Sequence, residues 1–208
     1  MIGLFGPQRC GKTTLAKAYA DKHGVQFVET SASSVFKRAG LDPAKTYGFD
    51  IRLAIQGEIL KEFAAAYAAA PFGSITDRTP IDLMAYTLSE CLNDNVSPSL
   101  EPRLEKYILD CFDVLNRYFS TVILVQPGIP LVKALGKAGT SKAHIEHISS
   151  LCLGLVMDER TKCAHYYIRR SMIDMDERVA ALENAVGKAE RVAHEQVGAY
   201  LATGGFIH

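Results

Sequence analysis

The chain has 208 residues, 48 % of them apolar and 22 % charged, with a formal net charge of zero. That size and apolar content provide for one core, a single domain over residues 1–208, and exclude an intrinsically disordered chain. The balanced charge advertises no large nucleic-acid footprint, and no apolar run reaches the length of a membrane span.

The first apolar run, residues 2–5, is too short for a helix and reads as a strand. It enters a glycine motif with no basic region or cleavage site ahead of it, so no secretory signal is expected there. Residues 25–28, 74–76, 122–125 and about 166–168 read as four further strands. Residues 64–70, rich in alanine, read as the end of a helix that Pro71 stops. Ile81, Met84, Ala85, Leu88 and Leu92 recur at three- and four-residue steps, as do Leu104, Tyr107, Ile108, Cys111, Phe112 and Leu115. Both sets predict amphipathic helices, and residues 93–102, with two prolines and two asparagines, read as the loop between them. Residues 136–141 read as a mobile segment ahead of a helix over about 142–161. Asp174, three residues before Glu177, predicts the cap of a long C-terminal helix. Strands alternating with helices imply βαβ crossovers and an α/β fold with a mostly parallel sheet.

Gly6-Pro7-Gln8-Arg9-Cys10-Gly11-Lys12-Thr13 fits G-x-x-x-x-G-K-[ST] between a predicted strand and a predicted helix, the setting this motif needs. Two glycines permit backbone angles and close approaches that a Cβ would block. Successive N–H groups and a helix N-terminus then converge on phosphate oxygens. Lys12 supplies a charge between the β- and γ-phosphates, and the Thr13 hydroxyl ligates magnesium. Thr14, next along, completes the candidate cradle. The implied cofactors are ATP and Mg2+.

A second motif, Asp77-Arg78-Thr79-Pro80-Ile81-Asp82, follows the third strand. Thr79, Pro80 and Asp82 suit a helix start: a cap, a first-turn proline and a capping-box acid. Asp77 and Arg78 fall at the C-terminal tip of a parallel strand, where α/β ligands bind. Asp77 is the candidate second magnesium ligand, and Arg78 the cation that neutralises charge on the transferred phosphoryl group. Glu29, at the tip of the second strand, is the candidate base for an acceptor hydroxyl. Arg52 and Gln56, one helical turn apart, suit an acceptor's phosphate and base edge, or equally a solvated face. His144 and His147 lack a further convincing ligand and read as a surface helix. The five cysteines, Cys10, Cys91, Cys111, Cys152 and Cys163, form no C-x-x-C pair and read as reduced cytoplasmic thiols. Cys10, beside a helix N-terminus, is expected to be the most reactive of them, provided it is exposed.

The two motifs together resemble the P-loop nucleoside and nucleotide kinases, in particular the thymidylate kinase and deoxynucleoside kinase groups. Gln126-Pro127-Gly128-Ile129-Pro130-Leu131 is similar to a segment of small P-loop kinases common in bacteriophage genomes. The resemblance implies a three-layer P-loop NTPase fold with strand order 2-3-1-4-5 and a lid-like segment at about residues 131–160. It implies a kinase acting in the cytoplasm, that of the host if phage-encoded. The nucleotide substrate is free or carried in DNA. It leaves the oligomeric state open, a homodimer included. One departure stands out. Thymidylate-type lids carry arginines, whereas residues 131–148 hold Lys133, Lys137 and Lys142 but no arginine; Arg160, Arg169 and Arg170 are the later candidates for that role. Within the phage group, the resemblance points to phosphorylation of the hydroxymethyl group of 5-hydroxymethyldeoxyuridine in DNA, a step in thymidine hypermodification. Lys37, Arg38, Arg52 and the three lid lysines would then hold flanking phosphates. The alternatives are a free deoxynucleoside or deoxynucleoside monophosphate kinase, and a nucleotide-dependent regulatory ATPase.

Overall fold

A computed structural model describes residues 1–42, 45–91, 96–130 and 141–202, the last five of these as backbone only. Five parallel strands, β1 (Ile2–Phe5), β2 (Phe27–Val28), β3 (Ile75–Thr76), β4 (Thr121–Val125) and β5 (Ala164–Ile168), form one sheet. Their order is β2-β3-β1-β4-β5, the expected one. The helices are α1 (Lys12–His23), α2 (Ala32–Arg38), α3 (Phe49–Ala69), α4 (Pro80–Ser89), α5 (Glu101–Tyr118), α6 (Lys142–Val156) and α7 (Met175–Ala202). Among the described residues, no helix is long and apolar enough to cross a membrane.

The period-2 alternation of strands divides the core into two slabs. On β4, Val122 and Leu124 pack with Phe63, Tyr67, Met84, Leu115 and Ile148, under the helices α3 to α6. Ile123 and Val125 point the other way, to Leu15, Ala16, Leu182 and Val186 of α1 and α7. Burying each of the Val, Leu, Ile, Phe and Met side chains among these stabilises the fold by about 1.5–3 kcal/mol. The continuously buried strands β1 and β4 suit a sheet covered on both faces.

Most element ends follow local chemistry. Ala70 is extended (ψ 140°), as a residue ahead of a proline must be, and α3 ends before it. Thr79 Oγ1 accepts from the Ile81 N–H at 3.2 Å, and Asp82 Oδ2 accepts from the Thr79 N–H at 2.9 Å, which completes the predicted capping box. Asp174 Oδ1 likewise accepts from the Glu177 N–H at 3.1 Å, at the start of α7.

Other boundaries moved. β2 and β3 keep only two residues each. The expected loop over 93–102 overran the start of α5, because Pro102 is accepted in a first helical turn; residues 92–95 lie outside the described residues. α6 stops at Val156 rather than near 161, where Asp158 turns the chain by accepting from the Arg160 N–H at 2.9 Å. The short helix α2 had no counterpart among the expected elements. Of the expected lid, residues 131–140 lie outside the described residues.

Candidate active site

The C-terminal ends of β1 and β3 and the N-terminus of α1 converge on a cleft of about 680 Å³, lined by Gln8, Arg9, Gly11, Lys12, Thr13, Thr14, Asp77, Arg78 and Ile129. A larger cavity, about 950 Å³, opens around Met1, Phe72 and Val197 at the other end of the strands. The smaller one is faced by strand tips and by a positive helix end, a setting that favours an anion.

The loop from Gly6 to Thr13 has the geometry of an anion cradle. Gly6 (φ 133°) and Gly11 (φ 82°) hold backbone angles closed to most residues. A Cβ on Gly6 would lie 2.7 Å from the Val125 carbonyl oxygen. Arg9 is the only non-glycine with positive φ (63°) among the described residues, a strain of about 1–2 kcal/mol located at the site itself.

The Lys12 ammonium folds back onto its own loop. It donates to the Gly6 and Pro7 carbonyls, the latter at 3.0 Å, and stands 3.6 Å from Asp82 Oδ1. Burial opposes its charge, but the neighbouring Cys10 and Asp82 outweigh that effect and hold its pKa above the usual lysine value. The lysine therefore stays charged, held by two loop carbonyls and the Asp82 carboxylate. The Thr13 hydroxyl donates to Asp77 Oδ2. A hydroxyl and a carboxylate brought together beside a cationic cradle form the oxygen-rich donor set that Mg2+ takes. Both residues fit that ion.

Helix α4 braces the cradle in a way the sequence reading did not foresee. Asp82, 1 % exposed, accepts from the Gly6 N–H at 3.1 Å in addition to capping its own helix. One turn on, the Tyr86 hydroxyl accepts from the Gln8 N–H at 3.0 Å. The clue was the i, i+4 spacing of Asp82 and Tyr86 directly after the acid–base pair. Burial raises the Asp82 carboxyl above the usual range, against the pull of Lys12. From α3, the Tyr67 hydroxyl donates to the Arg78 carbonyl at 3.0 Å and so fixes the strand tip that carries Asp77 and Arg78.

The other candidates lie outside the cleft lining. Glu29 is exposed, one step past Val28, whose register partner is Thr76; it thus ends β2 beside the strand tip of Asp77. Arg52 does not offer a free cation: its guanidinium grips both carboxylate oxygens of Glu90, through Nε at 2.8 Å and through Nη2. This ties α3 to the end of α4, because the fork of one matches the other. Gln56 keeps a buried side-chain oxygen without a partner, as do Thr30, next to Glu29, and Thr76, next to Asp77. Of the later arginines, Arg160 is held by Asp158 and lies 4.4 Å from the Phe112 ring centroid, and Arg170 pairs with Glu146; Arg169 is exposed. His144 sits on α6 with its ring 6.4 Å from that of Tyr86.

Cys10 corrects an expectation. It is 2 % exposed, its thiol donates to the Pro7 carbonyl at 2.9 Å, and burial raises its pKa. The helix end that favours a thiolate is outweighed by lost hydration. Cys91 is the most accessible of the five. Brief treatment with iodoacetamide should therefore label Cys91 first and Cys10 little; peptide mass spectrometry showing Cys10 labelled first would overturn this.

The parallel sheet, loop and cleft define a P-loop protein. The chain belongs to the AAA domain family, whose model matches residues 1–134. It is also similar to the replication factor C large subunit of Staphylothermus marinus, 40 % identical over 125 residues, which are 58 % of this chain and 30 % of that protein. The chain thus spans about three tenths of the length of the curated relative it matches. Among solved structures, deoxyadenosine kinase from M. mycoides, with products dCMP and a flexible dCDP bound, matches with a TM-score of 0.62 at 15 % identity over 90 % of this chain and 98 % of that one. NadR protein in complex with NR matches with a TM-score of 0.62 at 14 % identity over 90 % of this chain and 50 % of that one. Both are likenesses of fold.

Proposed function

We propose that the protein transfers the γ-phosphoryl group of ATP to a hydroxyl of a nucleoside-type acceptor. The observation that carries this is the meeting of Lys12, Thr13, Asp77 and Arg78 in one cleft. Bound Mg2+ would neutralise charge on the β- and γ-oxygens, with Thr13 and Asp77 as its holders. The loop N–H groups and Lys12 bind the polyphosphate, and Arg78 faces the charge that builds on the moving phosphoryl group. Glu29, exposed beside the same strand tips, accepts the proton of the attacking hydroxyl. Gln56, on α3 one turn from Arg52, is the candidate reader of the acceptor base.

The charge distribution supports a free nucleoside or nucleotide acceptor first. Arg38 and Arg52, two of the cations available to hold DNA phosphates, are paired with Glu62 and Glu90. The DNA-borne hydroxymethyl group of 5-hydroxymethyldeoxyuridine is the second reading. It rests on the phage-kinase likeness of residues 126–131 and on Lys37 and Lys142, which are exposed. Similarity to a replication factor subunit supports a third, a regulatory ATPase.

Transfer from γ-labelled ATP to deoxynucleosides, deoxynucleoside monophosphates, hydroxymethyluracil DNA and thymine DNA separates the three. Label on free acceptors alone selects the first reading. Label on hydroxymethyluracil DNA, falling steeply with salt as counterion release requires, selects the second. Slow hydrolysis indifferent to every acceptor selects the third and discards the kinase. Glu29→Gln should slow transfer to the best hydroxyl acceptor by about a hundredfold and leave transfer to a monophosphate, already ionised, unchanged. Wild-type rates on the hydroxyl acceptor would remove Glu29 as base.

A further inference from the structure

Arg178, on the first turns of α7, is 1 % exposed, the largest fully buried side chain described. Its Nη2 donates to the Cys10 carbonyl at 2.6 Å, across 168 positions of sequence. Its Nε and Nη1 are buried without an acceptor, and among the described residues no carboxylate pairs with it. An arginine does not shed its proton in a protein, so a whole positive charge is buried behind the cradle without its counter-ion. Such a charge is costly in a folded chain. It lies close to the loop: a Cβ on Gly11 would meet Nη1 at 2.7 Å.

The bond to Cys10 also has a geometric consequence. The Cys10 carbonyl and the Gly11 N–H belong to one planar trans peptide and point in opposite directions. Drawing the carbonyl back towards α7 aims the Gly11 N–H forward into the cleft. Arg178 thus acts on the front of the loop in two ways, by orienting a donor and by adding positive potential through a low-dielectric wall.

We propose that Arg178 is a positioning residue of the phosphate cradle, anchoring the Cys10–Gly11 peptide from behind and supplying a buried charge that the polyphosphate of the bound nucleotide balances. This rests on the nucleotide-binding part of the reading above. It makes α7 part of the binding machinery, although α7 contributes nothing to the cleft lining.

The test is binding of ATP, ADP and AMP, with thermal melts of the same proteins, for wild type, Arg178→Met, Arg178→Gln and Arg178→Lys. Arg178→Met removes the unbalanced charge at nearly constant length. Without nucleotide it should melt at or above the wild-type temperature. It should bind ATP about tenfold more weakly, ADP less so, and AMP almost normally. Arg178→Gln keeps a donor without charge and should fall in between; Arg178→Lys keeps the charge and should restore part of the ATP affinity. A purely structural role predicts the reverse, a lower melting temperature and equal losses for all three nucleotides, and that result overturns the proposal. So does ATP binding within twofold of wild type by Arg178→Met. If Arg178→Met does not fold, the same graded comparison with Arg178→Gln decides. Failure of the wild type itself to bind any nucleotide would instead remove the parent reading.

Discussion

Lys12→Ala should leave a folded protein whose phosphoryl transfer falls by about a thousandfold, the scale of losing a preorganised charge at the reacting oxygens. The side chain is 12 % exposed, and its ammonium rests on two loop carbonyls and the Asp82 carboxylate. Its removal leaves those carbonyls facing a cleft that water can enter, so the fold tolerates it. Asp82 keeps its bonds from the Gly6 and Thr79 N–H groups, so the brace from α4 survives as well. What disappears is a positive charge that the proposed mechanism sets against the β- and γ-oxygens. Transfer from labelled ATP, with a thermal melt as the folding control, measures both sides. Near-normal turnover by the folded variant would sink the assignment of this loop.

Asp77→Asn should reduce kcat by about a hundredfold while changing nucleotide affinity little, because the metal's holder matters most while charge is redistributing. Asp77 lies at the tip of β3, 9 % exposed, and accepts the Thr13 hydroxyl bond. An amide can still accept that bond, so local geometry is preserved and only the negative charge is lost. Half-maximal turnover should accordingly need more Mg2+, whereas ATP binding measured in EDTA should match wild type. An unchanged magnesium titration would show that Asp77 holds no metal.

The P-loop was legible because its instructions are contiguous. Glycines at the two ends of Gly6–Gly11 and a lysine–threonine pair need only a strand before them and a helix after, and both sit within about twenty residues. The capping box at Thr79 and Asp82 was legible for the same reason, as was the end of α3 ahead of Pro71. The two-residue strands β2 and β3 were readable only as apolar runs. Their place in the order β2-β3-β1-β4-β5 came from the resemblance to P-loop kinases, since periodicity is silent about which neighbour a strand takes.

The tertiary structure decided which of these groups are spent and which are available. Cys10 looked reactive beside its helix end, but the slab it shares with Leu15 and Val179 buries it, and its thiol donates to the Pro7 carbonyl. Arg52 could equally have been an acceptor cation or part of a solvated face, and Glu90 from the next helix takes the Nε–Nη2 edge of its guanidinium. Asp82 was read as a cap, and it also holds the Gly6 N–H, 76 positions away. Local backbone preferences depend on a residue and its near neighbours, and so they are written in order along the chain. Burial and charge pairing depend on which helices the two slabs of the core bring together, and that follows from the packing of all of them at once.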